Sequence, residues 1–213
     1  MRRARSRHRK TVSICRSRRA RRSIAAAITE RADAVRVLLV SDTHGLIDAR
    51  IIALARECDV VVHAGDVGSA QVLASLSAAC ARVIAVRGNN DVAEKWPLRE
   101  RALATSLQAQ ADVALPGGVL VAVHGDRFPA SQRHARLRAA FPHARAIVYG
   151  HSHRLCIDDA EQPWVLNPGA AGRARTFGGP RCLLLQAAVA GWKVEPIIFA
   201  PTAMSAAVQP QHG

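Results

Sequence analysis

The sequence predicts an α/β fold in which two packed β-sheets are covered by helices. Three observations carry this. In the first half, apolar β-branched runs alternate with segments of helical spacing, the pattern of βαβ units around a mostly parallel sheet. The second half supplies more strand-like runs than helices, so a second sheet is needed to use them. Asp, His and Asn recur just past the ends of these runs, in the place where open α/β sheets bind ligands.

The elements follow in order. "VRVLLVSD" opens as a β-branched strand, "LIDARIIALAREC" has helical spacing, and "DVVVHAGD" is a second buried run. "SAQVLASLSAAC" reads as helix, and "ARVIAVRGN" as a strand buried on both faces. Further strands are expected in "GGVLVAVHGD", "ARAIVYGHSH", "PWVLNPGA", "RCLLLQAAV" and "WKVEPIIFA", with one helix, "SQRHARLRAAF", among them. The main domain is expected over residues 35–203, followed by a flexible tail at 204–213.

Composition bounds the function classes. At 213 residues, 49% of them hydrophobic, the chain can bury one substantial core. No run approaches the roughly 18 apolar residues of a membrane helix. The five cysteines are odd in number and contain no C-x-x-C pair, which suits a reducing cytoplasm better than a disulfide framework.

The formal charge of +14 is concentrated at one end: residues 1–34 hold 12 Lys+Arg against 2 acids, and the rest of the chain holds 18 against 14. This basic segment lacks hydrophobic periodicity and is expected to be disordered. Three readings stand beside one another: an arm that binds nucleic acid non-specifically through phosphate neutralisation, an Arg-rich transit peptide, and translation from upstream of a GUG start at Val35. The domain itself has ordinary electrostatics and offers no aromatic platform or basic stripe for nucleic acid.

The strand ends carry the chemistry. They are Asp42-Thr43-His44, Gly65-Asp66, Gly88-Asn89-Asn90-Asp91, His124-Gly125-Asp126 and Gly150-His151-Ser152-His153. If the backbone stays extended there, residues i and i+2 point the same way, so Asp42 with His44 and His151 with His153 each aim two donors at one place. Each piece has an ordinary alternative: a helix cap at Asp42, a turn at Gly65-Asp66, a satisfied core histidine at His124, a turn at "RGNND". Five such segments at successive strand ends make a metal site the economical explanation. Oxygen and imidazole donors without thiolate favour Mn, Fe, Zn, Ni or Co.

In full order, "SDTHG", "HAGD", "GNND", "VHGD", "YGHSH" and "LNPGA" resemble the calcineurin-like metallophosphoesterase superfamily, in particular its small bacterial and archaeal phosphodiesterase branch, related to a retromer subunit. The resemblance implies a four-layer αββα sandwich with two mixed sheets, and two divalent ions, manganese foremost. It implies Asp42, His44 and His153 on the first ion, Asn89, His124 and His151 on the second, and Asp66 bridging. Catalysis would then rest on Asp66, Asn89 and His124, with a hydroxide between the ions attacking a small-molecule phosphoester in line. Asp91 is expected behind the ligands and His63 as a packed residue. Arg173 and Arg175 are either substrate contacts or solvated. Asn90 stands where many relatives have a leaving-group histidine or a cysteine, and Asp126 where the branch often has histidine, so the substrate side departs from the pattern. Other functions in view are a non-catalytic interaction scaffold, a phosphomonoesterase and a nuclease. Oligomeric state does not follow from the sequence, and a homo-oligomer is left open.

Overall fold

The computed structural model describes residues 34–201. The expectations for the basic N-terminal segment and the C-terminal tail fall outside these residues, Ala34 apart. In chain order the elements are β1 (Val35–Val40), α1 (Ala49–Ala55), β2 (Val60–His63), α2 (Ala70–Ala79), β3 (Val83–Ala85), α3 (Arg101–Ser106), β4 (Gln110–Leu115) and β5 (Gly118–Val123). They continue as α4 (Arg133–Ala140), β6 (Ala146–Val148), β7 (Cys156–Asp158), β8 (Trp164–Asn167), β9 (Arg181–Ala188) and β10 (Gly191–Ile198). Among the described residues, no helix is long and apolar enough to cross a membrane.

Two five-stranded mixed sheets result, in the orders β10-β9-β1-β2-β3 and β4-β5-β6-β8-β7. In the first, β1 pairs in parallel with β2 and antiparallel with β9. In the second, β5, β6 and β8 run parallel, with antiparallel strands at both edges. The alternation of β1 explains its unbroken apolar sequence. Val37 and Leu39 face the core between the sheets, where they meet Leu120, Ala122, Val148 and Leu166. Leu38 and Val40 face outward to Ile51 of α1 and to Val72 and Leu76 of α2. A strand covered on both faces has no solvent side to mark with polar residues. On the far side, Val121, Ile147 and Val165 pack under Leu137 of α4. The layers are therefore helices, sheet, sheet, helix.

Three local expectations are corrected. β3 is a half-buried edge strand of three residues, because among the described residues nothing pairs with its outer side beyond the single Val86–Gln108 bridge. Asp48 lies outside α1 as its N-cap, accepting from the Arg50 backbone N–H. β4 and β7 were hidden from periodicity: β4 is an exposed edge with one buried side chain, and β7 has three residues.

Directional links join the two sheets at the end away from the strand carboxyl termini. The Trp192 indole of β10 donates to the Pro116 carbonyl of the β4–β5 turn at 2.7 Å, and the Arg145 guanidinium lies over the Trp192 ring at 5.1 Å. The four described cysteines are free, and burial pushes Cys182 up to about 12 and Cys58 to about 11.

Helix α4 is fastened to β7 by charge. Arg138 Nη2 and His134 Nδ1 lie 2.8 and 2.7 Å from the Asp158 carboxylate, and His134 Nε2 lies 3.0 Å from the Tyr149 hydroxyl. The Arg138 hydrogen bond, with help from His134, holds the Asp158 carboxyl below the usual carboxylate range. A depressed carboxyl contributes stability that is fully present above its unfolded pKa and lost as pH falls through its folded one. Asp158→Asn is therefore expected to cost about 1–2 kcal/mol at pH 7. The gap from wild type should begin to narrow below about pH 4 and close as the pH falls through the folded pKa, as read by urea unfolding across that range.

Candidate metal centre

The strand carboxyl ends of both sheets meet at one edge of the sandwich. Asp42 and His44 follow β1, Asp66 follows β2, Asn89 follows β3, His124 follows β5, and His151 and His153 follow β6. The extended-backbone argument for their convergence fails. Asp42, His44, Asp66, His151 and His153 all have positive φ, between 47° and 67°. The chain turns sharply at each of these positions, so the side chains aim inward from left-handed turns. Non-glycine residues in this region are uncommon and cluster at functional sites.

Two glycines make room for the turns. A Cβ on Gly150 would fall on Ser41 Oγ and within 2.9 Å of Asp42 Oδ2. One on Gly88 would fall on the Asp66 backbone nitrogen and carboxylate.

The donors form two touching groups. In the first, His44 Nε2 and His153 Nε2 are 3.1 Å apart, and Asp42 Oδ1 is 3.4 Å from His153 Nε2. In the second, Asn89 Oδ1 lies 3.1 Å from His124 Nε2 and 3.0 Å from His151 Nδ1. Asp66 Oδ2 stands between the groups, 3.4 Å from His124 Nε2 and 3.8 Å from His44 Nε2. Asp42 with His44 and His153, and Asp42 with Asp66 and His124, each bring ligand atoms within 4.8 Å of one another.

Hydrogen bonds behind these groups fix what they present. The His124 Nδ1–H donates to the Ala64 carbonyl at 2.8 Å, which leaves Nε2 to face the two oxygens. The His153 Nδ1–H likewise donates to the Ala174 carbonyl at 3.2 Å, which turns the Nε2 lone pair toward His44. Asp42 is fully buried and accepts from the Ser41 hydroxyl and the His151 backbone N–H. Burial pushes its carboxyl up to about 7, against the pull of His124 and Ser41. Burial opposes ionisation of Asp66 too, but hydrogen bonds and charge from His124, with further bonds from Asn90, hold that carboxyl well below the usual range. His124 is raised to about 9, since Asp66 and Asp42 outweigh the effect of burial. Burial and the Arg175 charge lower His153 to about 4. Burial is also the main cause of the lowered His44 and His151. Imidazole nitrogens facing one another beside a fully buried carboxyl are an arrangement that a divalent cation satisfies.

The remaining predicted residues are spread around this centre. Asn90 Nδ2 donates to Asp66 Oδ2 at 2.6 Å, and Lys95 Nζ donates to Asn90 Oδ1 at 2.6 Å. Asp91 is buried and ties the loop by accepting from the backbone N–H groups of Val67, Gly68 and Gly88 and from the Trp96 indole. Arg175 Nη2 reaches His153 Nε2 at 3.0 Å. Arg173 and Asp126 are exposed. His63 is buried and bonded to the Thr43 hydroxyl through Nε2 at 2.9 Å; burial lowers it to about 3. Sequence reading passed over Ser41 and Lys95. Ser41 directly precedes the first candidate ligand, which is a usable signal, whereas nothing in the sequence singles out Lys95.

A family model, the calcineurin-like phosphoesterase superfamily domain, matches residues 35–188. The chain belongs to that superfamily. Among solved structures, the superfamily likeness extends to a predicted phosphoesterase from Streptococcus pneumoniae (TM-score 0.57, 20% identity, covering 78% of this chain and 90% of that one). It extends also to an archaeal phosphodiesterase (TM-score 0.59, 20% identity, 77% and 99%). A third is wild-type Vps29 from Entamoeba histolytica complexed with zinc (TM-score 0.56, 15% identity, 76% and 98%). A search of curated proteins gave no match. At these identities the solved structures speak for the shared superfamily fold alone.

Proposed function

We propose that this protein is a metal-dependent phosphodiesterase holding two divalent cations, manganese foremost, on the seven converging donors. Asp42, His44 and His153 would hold the first, Asn89, His124 and His151 the second, with Asp66 between them. The observation that carries this reading is the position of Asp66 Oδ2, within 3.8 Å of an imidazole nitrogen of each group. Bound cations would lower the pKa of a water molecule and offset charge gathering on phosphorus.

The chain's own groups do the rest. Ser41 and the His151 N–H hold Asp42, so that its free lone pairs aim at the centre. Asn90 orients Asp66 and is itself held by Lys95. Arg175 supplies a cation beside His153 for the non-bridging oxygens of a phosphoester. Two carboxylates against two divalent ions leave net positive charge, which suits an anionic diester. Metal analysis with a panel of phosphomonoesters and diesters tests the reading. Two ions per chain and chelator-sensitive diester hydrolysis are expected; metal binding without hydrolysis of any ester would favour a scaffold instead.

The amide of Asn90 supplies no useful proton near neutral pH, so leaving groups stable as anions should react best. Aryl diesters are expected to exceed alkyl monoesters in kcat/KM. Asn90→His should raise the alkyl-to-aryl rate ratio by about 10²-fold. A leaving-group series with the same slope in wild type and variant would remove position 90 from protonation.

A further inference from the structure

A cavity of about 460 Å³ opens beside the proposed cation site, with Asn89 and His124 in its wall. Its volume lies in the range of small-molecule sites. Val92, Val123 and Phe141 give it an apolar side, and Arg87, Arg127 and Asp126 give it charge. Arg87 is partly buried and Arg127 exposed. Arg36, Arg50 and Arg138 each pair with a carboxylate; among the described residues, the Arg87 and Arg127 side chains form no ion pair. Two arginines free of ion pairs in the wall of one cavity, opposed by a single exposed carboxylate, leave an excess of positive charge next to the proposed cation site. Guanidinium is the side chain best matched to phosphate oxygens.

We propose that this cavity seats one alcohol portion of the diester, and that this portion carries a second phosphate held by Arg87 and Arg127. The proposal rests on the phosphodiesterase reading and narrows its substrate class. The apolar side covers the organic frame between the two phosphates. Asp126 lowers affinity for the second phosphate and so sets its strength. The reaction itself is unchanged: water oxygen bonds to phosphorus, the P–O ester bond breaks, and the alcohol leaves.

The test uses a matched pair of substrates, thymidine 5′-(p-nitrophenyl phosphate) and the same ester with a 3′-phosphate. Thymidine is only the frame; leaving group and diester are identical. The full chain should prefer the 3′-phosphorylated ester by about tenfold in kcat/KM, and Arg87→Gln and Arg127→Gln should each remove most of that preference, chiefly through KM. Asp126→Asn should increase it, and Arg87→Lys, which keeps the charge, should retain part of it. No preference in the wild type, or one unchanged in both glutamine variants, overturns the proposal. Calorimetric binding of thymidine 3′,5′-bisphosphate against thymidine 5′-phosphate provides a readout free of turnover. If neither ester is hydrolysed, the phosphodiesterase reading fails, and binding alone decides. Tighter bisphosphate binding that is lost in Arg87→Gln sustains the subsite, and equal binding sinks it.

Discussion

Asp66→Asn is expected to reduce kcat for an aryl diester by at least about 10³-fold and to lower metal occupancy at both positions together. The substitution keeps size and shape but removes the one charge that stands between the two donor groups. It should do so without unfolding the chain. Asp66 has φ 56°, and Asn is among the few residues that tolerate this region. The amide can still accept through its oxygen from the Asn90 side chain, now 2.6 Å from Asp66 Oδ2. A thermal melt close to wild type, with metal content near zero by elemental analysis, is the predicted pair of results. Retention of two ions and near-normal turnover would remove Asp66 as the bridge. Loss of only one ion would assign it to a single group.

Gly150→Ala should have the largest effect on stability. Its Cβ would overlap Ser41 Oγ and stand 3.0 Å from the Ala64 carbonyl oxygen. The backbone cannot retreat, because the Gly150 N–H donates to His124 O at 3.0 Å and its carbonyl accepts from Asn167 Nδ2 at 2.9 Å. Overpacking of this kind costs about 2–4 kcal/mol, or roughly 5–15 °C in Tm for a chain of this size. Adding Ser41→Gly removes the overlapping hydroxyl and should recover part of the loss. The double variant should still bind the first cation poorly, since Asp42 has then lost its hydroxyl donor. A Tm within about 2 °C of wild type in the single variant would show that the loop can shift aside.

The alternating core was legible because β1, β2, β5, β6 and β9 are covered on both faces and leave long apolar runs. Of the edge strands, β3 and β10 were legible but β4 and β7 were not. β4 fully buries only Val113, with Ala111 and Leu115 half-buried against the core, and β7 is held as much by Asp158 to α4 as by its own residues. The positions of the site residues were legible in the motifs, yet the reason first given for their convergence was not the one the structure uses. Period-two alternation applies to extended chain, and five of these residues sit in left-handed turns, a backbone state that no spacing rule reports. Arg87 opens "RGNND" and carries no signal of its own. Its neighbours Val123 and Phe141 come from distant elements, and only the fold brings them to one cavity.

The pins at the two ends of the sandwich have a mechanical consequence. Apolar packing between the two plates resists both separation and, through interlocked side chains, sliding. Hydrogen bonds add fixed directions to that resistance. At one end the Trp192 indole grips Pro116; at the other, His124 Nδ1 meets the Ala64 carbonyl at 2.8 Å and the His151 N–H grips Asp42 at 3.1 Å. Each donor group of the candidate metal centre draws on both plates, so its internal distances are a vernier for their alignment. Shear between the sheets would separate His153 from Asp42 and His124 from Asp66 at once. Trp192, at the opposite end of the molecule, thus helps to set the gauge of a site it never touches.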